Sequence, residues 1–225
     1  MADVLPCVEI DPPGRPEGSV VWLHGLGADG HDFEPIVPLL GLPRARFVFP
    51  HAPAIPVTVN GGMVMPAWYD IVDIGAGGER EADVRRSAAA VDALLEQEEQ
   101  RGMPAHRIVL AGFSQGAALA LFVGVRHPET LAGIMVLSGL ELLPEAREAE
   151  STEANRSTPV LFCHGSYDPT VDVRWAREAY AAYRQGRPAE WHEFSMAHQM
   201  NLEEIDVIRD WLHVRFPEVG AEARP

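Results

Sequence analysis

"VLAGFSQGAALAL", Val109 to Leu121, sets a serine and a glutamine between two apolar runs, with Gly112 two residues before the serine and Gly116 two after it. Arg107 to Phe113 is rich in β-branched and apolar residues and reads as a buried strand, whereas Gln115 to Arg126 is Ala/Leu-rich and long enough for a helix. Ser114 therefore stands at a strand-to-helix hinge. A turn that tight needs small residues on both sides, because a Cβ at either glycine would strike neighbouring backbone. Gly112-Phe113-Ser114-Gln115-Gly116 fits the G-x-S-x-G pattern of a nucleophile elbow.

Around this hinge, short apolar segments alternate with helical ones. Strands are expected at Val20–Leu23, Arg46–Phe49, Ile108–Phe113, Gly133–Leu137, Val160–His164 and Glu190–Phe194. Asp83–Glu98 carries Val84, Ala88, Val91 and Leu95 at helical spacing, and Val173–Tyr183 and Leu202–Phe216 carry similar stripes. Continuous apolar strands joined by helical crossovers predict an α/β fold. It has a mostly parallel central sheet covered by helices on both faces, with ligands bound beyond the carboxyl ends of the strands.

The chain of 225 residues reads as one domain, 1–225, with no internal repeat and no long linker. His51 to Gly78 lacks a helical period but is dense in large apolar residues, which predicts a functional loop rather than disorder. Within it, "VNGGMV" reads as a hairpin turn. Glu145 to Thr158 is polar and reads as a surface excursion, and 218–225 as a frayed tail.

Eighteen basic against 33 acidic residues give a formal charge of −15, which opposes binding to nucleic acid or to anionic membranes. Every basic residue of the 18 is Arg, so a lysine nucleophile or Schiff base is excluded. The first twenty residues lack the pattern of an export signal, and no apolar run approaches the ~20 residues of a membrane span. A cytoplasmic protein without stable membrane association is expected. Cys7 and Cys163 do not make a disulfide framework, and Cys163 reads as a small buried residue.

A serine hydroxyl needs a histidine base and an acid to orient it. In elbow-type α/β folds these partners follow in the order Ser, acid, His, each after a later strand. "VLFCHGSYDPTV" places Asp168, and "WHEFSMAHQM" places His198, just past such strands. The oxyanion needs two backbone donors. The amide of Gln115 is one, and the glycine-flanked Leu26 in "VVWLHGLGADG" supplies the other, its side chain facing the acyl site.

"WLHGLGADG", "FPHAP", "GGMVMPAWYDI", "GFSQGA", "HGSYDPTV" and "MAHQM" occur in the order and approximate spacing of the carboxylesterase/acyl-protein thioesterase family, also called the phospholipase/carboxylesterase family. The resemblance runs from Val20 to Trp211. It implies an α/β-hydrolase fold without a large lid, a triad of Ser114, Asp168 and His198, and an oxyanion hole at Leu26 and Gln115. It also implies short- to medium-chain ester, thioester or lysophospholipid substrates, no cofactor and a weak homodimer. Leu26, Met65, Trp68, Tyr69 and Val171 are the expected substrate-binding residues, with 51–78 as the substrate-binding loop. Three positions depart from the family pattern. Ala197 replaces the usual glycine before the histidine, Pro169 to Asp172 replaces two valines and a proline, and the segment before Thr158 varies.

Other polar residues have plainer readings. Asp172 reads as a helix N-cap rather than a second triad acid, and His24 and His164 as structural hydrogen-bonding groups. His24, Asp29, His31 and Asp32 lack compact metal-ligand spacing, so no metal is expected. The competing reading is a catalytically silent α/β-hydrolase module that binds an apolar ligand. The complete Ser/Asp/His set argues against it.

Overall fold

The computed structural model describes residues 5–73 and 78–217. In chain order the first elements are β1 (Cys7–Ile10), β2 (Gly18–Leu23), α1 (Val37–Leu40), β3 (Ala45–Pro50), β4 (Ala54–Val57), β5 (Met63–Pro66) and α2 (Glu81–Gln100). There follow β6 (Ile108–Phe113), α3 (Gln115–Gly124), β7 (Gly133–Leu137), α4 (Arg147–Glu150), β8 (Val160–Gly165), α5 (Val173–Tyr183), β9 (Ala189–Phe194) and α6 (Leu202–Arg215). All six expected strands and all four long helices form. Only their ends shift, by residues that fray or cap.

The main sheet has the order β1-β3-β2-β6-β7-β8-β9 and is parallel except where β1 pairs antiparallel with β3. The sequence reading lacks β1. Its four residues follow Pro6 and precede Pro12 and Pro13, and as a part-exposed edge strand it shows no continuous apolar run. β4 and β5 form a separate antiparallel hairpin, closed by Gly61 and Gly62 with φ of 68° and 79°, as "VNGGMV" predicts. Residues 74–77 of the expected substrate-binding loop, and the tail 218–225, lie outside the described residues.

Helices cover both faces. Val84, Val91 and Leu95 of α2 join α3 and the Ala179 and Tyr183 side of α5 in one core cluster; Leu40 of α1 and Ile205, Ile208, Trp211 and Leu212 of α6 join another. Every residue of α3 is buried, which is why its sequence is apolar all round rather than striped. It lies between the sheet and α2.

The sheet order reverses between β2 and β6: β3 lies on one side of β2, and β6, the next strand in the chain to join the sheet, lies on the other. Connections from these two strands depart in opposite directions and leave a crevice at their carboxyl ends. The loop after β2 and the elbow after β6 open onto that crevice.

Two polar residues are more deeply buried than their sequence context suggests. Asn155 and Thr158, in the segment read as a surface excursion, are 0% and 1% exposed. The Asn155 amide donates to the His127 and Glu129 carbonyls, and its oxygen accepts from the Leu131 N–H, so this part of the excursion is a fastening for the turn before β7. Polarity at Asn155 satisfies buried backbone rather than facing water. Glu204 is also fully buried, at the third residue of α6. Asn201 caps the helix by accepting from the Glu204 N–H, but neither Glu204 carboxyl oxygen has a partner among the described residues. Burial pushes the Glu204 carboxyl up to about 8.

Candidate active site

Ser114 sits at the junction of β6 and α3 with φ 54° and ψ −119°, a conformation that costs a non-glycine residue about 1–3 kcal/mol. The strain is held by the Ser114 N–H on the Leu137 carbonyl and by the Ala117 and Ala118 N–H groups on the Ser114 carbonyl. Flanking glycines make the turn sterically possible. A Cβ at Gly112 would lie 2.2 Å from the Gly116 carbonyl oxygen, and one at Gly116 would lie 2.4 Å from that of Leu23. The serine oxygen caps no helical amide. Instead it lies 2.8 Å from His198 Nε2.

His198 Nδ1 lies 2.6 Å from Asp168 Oδ2. The Asp168 side chain has no exposed surface, and its other oxygen accepts from the Thr170 and Val171 N–H groups at 2.8 and 2.9 Å. Burial alone would raise the Asp168 carboxyl. The bonds from His198 and from the two amides outweigh it and hold the group below its ordinary value. Phe113 packs on the His198 ring at 4.9 Å between centroids. The loop carrying Ala197 is backed by Gly165, where a Cβ would lie 2.4 Å from the Met196 carbonyl oxygen and 2.5 Å from that of Ala197. The three side chains drawn from separate segments thus meet at one rim of the sheet.

Beside Ser114 opens a cavity of about 250 Å³. Leu26, Tyr69, Ile71, Leu140, Leu142 and Val171 give it apolar walls, and Asp32, Asp73 and Glu79 stand at it with no Arg among the described lining residues. The Gln115 N–H, at the first turn of α3, has no intrahelical partner. The Leu26 N–H likewise donates to no acceptor among the described residues.

Two expected pocket residues stand elsewhere. Trp68 is fully buried and is not part of the cavity wall: its indole N–H donates to the His24 carbonyl, and its own carbonyl accepts from the Ser87 hydroxyl. The apolar ring that suggests an acyl contact packs instead against the loop after β2. Met65 lies in the hairpin beyond the cavity walls, over Gly27, with its sulfur accepting from the Asn60 amide. Leu26, Tyr69 and Val171 do line the cavity.

The sequence reading misses what positions Tyr69. The Gln115 side chain accepts from the Trp68 N–H at 2.8 Å and donates to the Tyr69 carbonyl at 2.7 Å. One buried amide therefore ties the turn at Ser114 to the cavity wall. A polar residue just inside an otherwise apolar helix is the available sequence signal.

Asp172 and His24 take the plainer roles read from the sequence. Asp172 accepts from the Arg174 N–H as the N-cap of α5. His24 Nδ1 bonds the Gly25 carbonyl and its Nε2 accepts from the Ala52 N–H, which fixes a neutral ring; burial lowers its pKa. With that lone pair occupied, His24 is unavailable to a metal, and no cluster of three or more ligating side chains is found among the described residues. No helix among them is long and apolar enough to cross a membrane.

With strands, elbow and cavity in place, comparison assigns the class: residues 5–215 match the model of the phospholipase/carboxylesterase family, and the chain belongs to it as a carboxylic-ester hydrolase of α/β-hydrolase fold. Among individual relatives, acyl-protein thioesterase 1 of Neurospora crassa is 37% identical over 220 residues, covering 92% of this chain and 90% of its own length. The crystal structure of SOBER1 from Arabidopsis thaliana superposes with a TM-score of 0.84 at 31% identity, covering 88% of this chain and 99% of that one. Acyl-protein thioesterase 2 from Zea mays follows with a TM-score of 0.83 at 28% identity, over 94% and 99% of the two chains.

Proposed function

We propose that the chain hydrolyses short- to medium-chain carboxylic esters and thioesters through an acyl-enzyme on Ser114. The observation that carries this reading is the hydrogen-bonded series Asp168–His198–Ser114 opening on an apolar cavity. The Ser114 oxygen attacks the carbonyl carbon while His198 Nε2 takes its proton. Asp168 holds the proton on Nδ1 and stabilises the imidazolium that forms. The amides of Leu26 and Gln115 receive the oxyanion, where donors already in place need no reorganisation. His198 then protonates the leaving alcohol or thiol, activates a water on the acyl carbonyl, and returns Ser114 to its starting state.

The acyl chain occupies the cavity between Leu26, Tyr69 and Val171, where each buried methylene contributes about 0.8 kcal/mol. The names of the fungal and plant relatives support S-acyl groups on protein cysteines as one substrate class. Two free thiols, Cys7 and Cys163, suit a reducing cytoplasm. A weak homodimer rests on the family resemblance and is checked by sedimentation.

Ser114→Ala is expected to lower p-nitrophenyl butyrate turnover by a factor on the order of 10⁴ with the fold intact. A fluorophosphonate should add one tag, at Ser114. An untagged wild-type protein, or full turnover by the alanine variant, would refute the serine mechanism and leave the silent module as the alternative.

A further inference from the structure

We propose that His164 is a second imidazole of the site, a positioning residue that sets the orientation of the Asp168 carboxylate and ties it to the Val171 wall of the acyl cavity. This rests on the serine-hydrolase reading above.

His164 is the penultimate residue of β8, just before the turn that carries Asp168, and it is fully buried. Its Nε2 bonds the Val171 carbonyl at 2.9 Å, and a carbonyl can only accept, so the proton resides on Nε2. The same nitrogen lies 3.4 Å from Asp168 Oδ2, the oxygen that meets His198. Nδ1 is buried and has no partner among the described residues. The ring lies near-parallel to Trp191, with 11° between planes and 6.4 Å between centroids.

These contacts form a closed loop. Asp168 Oδ1 accepts from the Val171 N–H, His164 Nε2–H donates to the Val171 carbonyl, and Nε2 lies 3.4 Å from Asp168 Oδ2 without a hydrogen bond to it. Rotation of the carboxylate would have to break the amide bonds or move Val171, and Val171 is itself a wall of the cavity. Asp168, His198, Glu193 and Asp172 are the charged or titratable groups that act on His164. Burial lowers its pKa despite the nearby carboxylates, so a neutral ring donates while Asp168 keeps its charge.

Three variants test the assignment. His164→Met fills similar space without a donor, and His164→Asn keeps a polar group too short to reach Val171. His164→Gln can place an N–H where Nε2 stands. For Met and Asn we expect kcat to fall about tenfold to a hundredfold with KM unchanged, the scale of a misplaced catalytic group. The acidic limb of the kcat/KM profile should move to higher pH, because a carboxylate without the electropositive Nε2–H edge of His164 beside it holds the His198 proton more strongly. Gln should recover most of kcat and restore the limb.

Met or Asn variants with wild-type kcat and pH profile would overturn the proposal. So would a loss of activity in all three that follows the loss of thermal stability with the limb unmoved, which describes a purely structural residue. If the Met chain does not fold, Asn against Gln gives the same comparison. Fluorophosphonate labelling of the wild type separates the two levels of argument: an unlabelled wild type defeats the serine reading, whereas labelled wild type with indifferent His164 variants defeats only this one.

Discussion

Replacing Glu204 by Gln should stabilise the protein in alkaline solution and do little in acid. The side chain is fully buried at the start of α6 with neither oxygen hydrogen-bonded among the described residues, and burial moves its carboxyl from 4.5 to about 8. The unfolded chain gives up this proton as pH rises through about 4.5, while the folded chain keeps it until about 8. Between those values the folded state binds more protons than the unfolded one, so stability falls as pH rises and the loss is complete above about 8. Full linkage gives about 5 kcal/mol, and relaxation around a buried charge lowers the realised loss to about 2–5 kcal/mol. Gln has no proton to keep and a similar shape. Urea unfolding followed by tryptophan fluorescence and far-ultraviolet circular dichroism at about pH 5, 7 and 9 would read the difference in midpoint between the two proteins. It should widen at each step in favour of Gln. A constant difference at the three pH values would show that Glu204 ionises freely in the folded state, and the reasoning from its burial would fail.

Two further outcomes follow from the site. Asp172→Ala removes the α5 cap and should lower Tm slightly with kcat unchanged, whereas Asp168→Asn should lower kcat on the order of 10⁴-fold; a matching kcat loss at Asp172 would reassign the acid. With Asp32, Asp73 and Glu79 at the cavity, an acyl-coenzyme A should be cleaved with lower kcat/KM than a neutral thioester of the same acyl chain. Added salt should narrow that gap by screening, and a gap indifferent to ionic strength would remove the carboxylates as its cause.

The sheet and the order of the candidate triad were legible in the sequence because each rests on a local signal. A parallel strand buried on both faces is a continuous apolar run, and Ser114 and Asp168 each follow one, while His198 follows the half-exposed edge strand β9. What remained hidden depends on partners brought together only by folding. The Gln115 side chain bonds backbone 46 and 47 residues away. Trp68 was misplaced for a related reason. An aromatic ring in a loop can line a cavity or plug the space behind it, and the decision lies in its indole N–H finding the His24 carbonyl. Asn155 shows the reverse error, a polar residue in a polar stretch that proves fully buried because it serves the backbone of the turn before β7.

The bridge from Gln115 to the backbone of Trp68 and Tyr69 constrains any attempt to retune acyl selectivity. A substitution at Tyr69 that shifts its backbone would also disturb the strained turn at Ser114, so breadth and rate would be coupled there. Leu140 and Leu142, carried by the segment after β7 and outside that bridge, offer the engineer a side that can be carved independently.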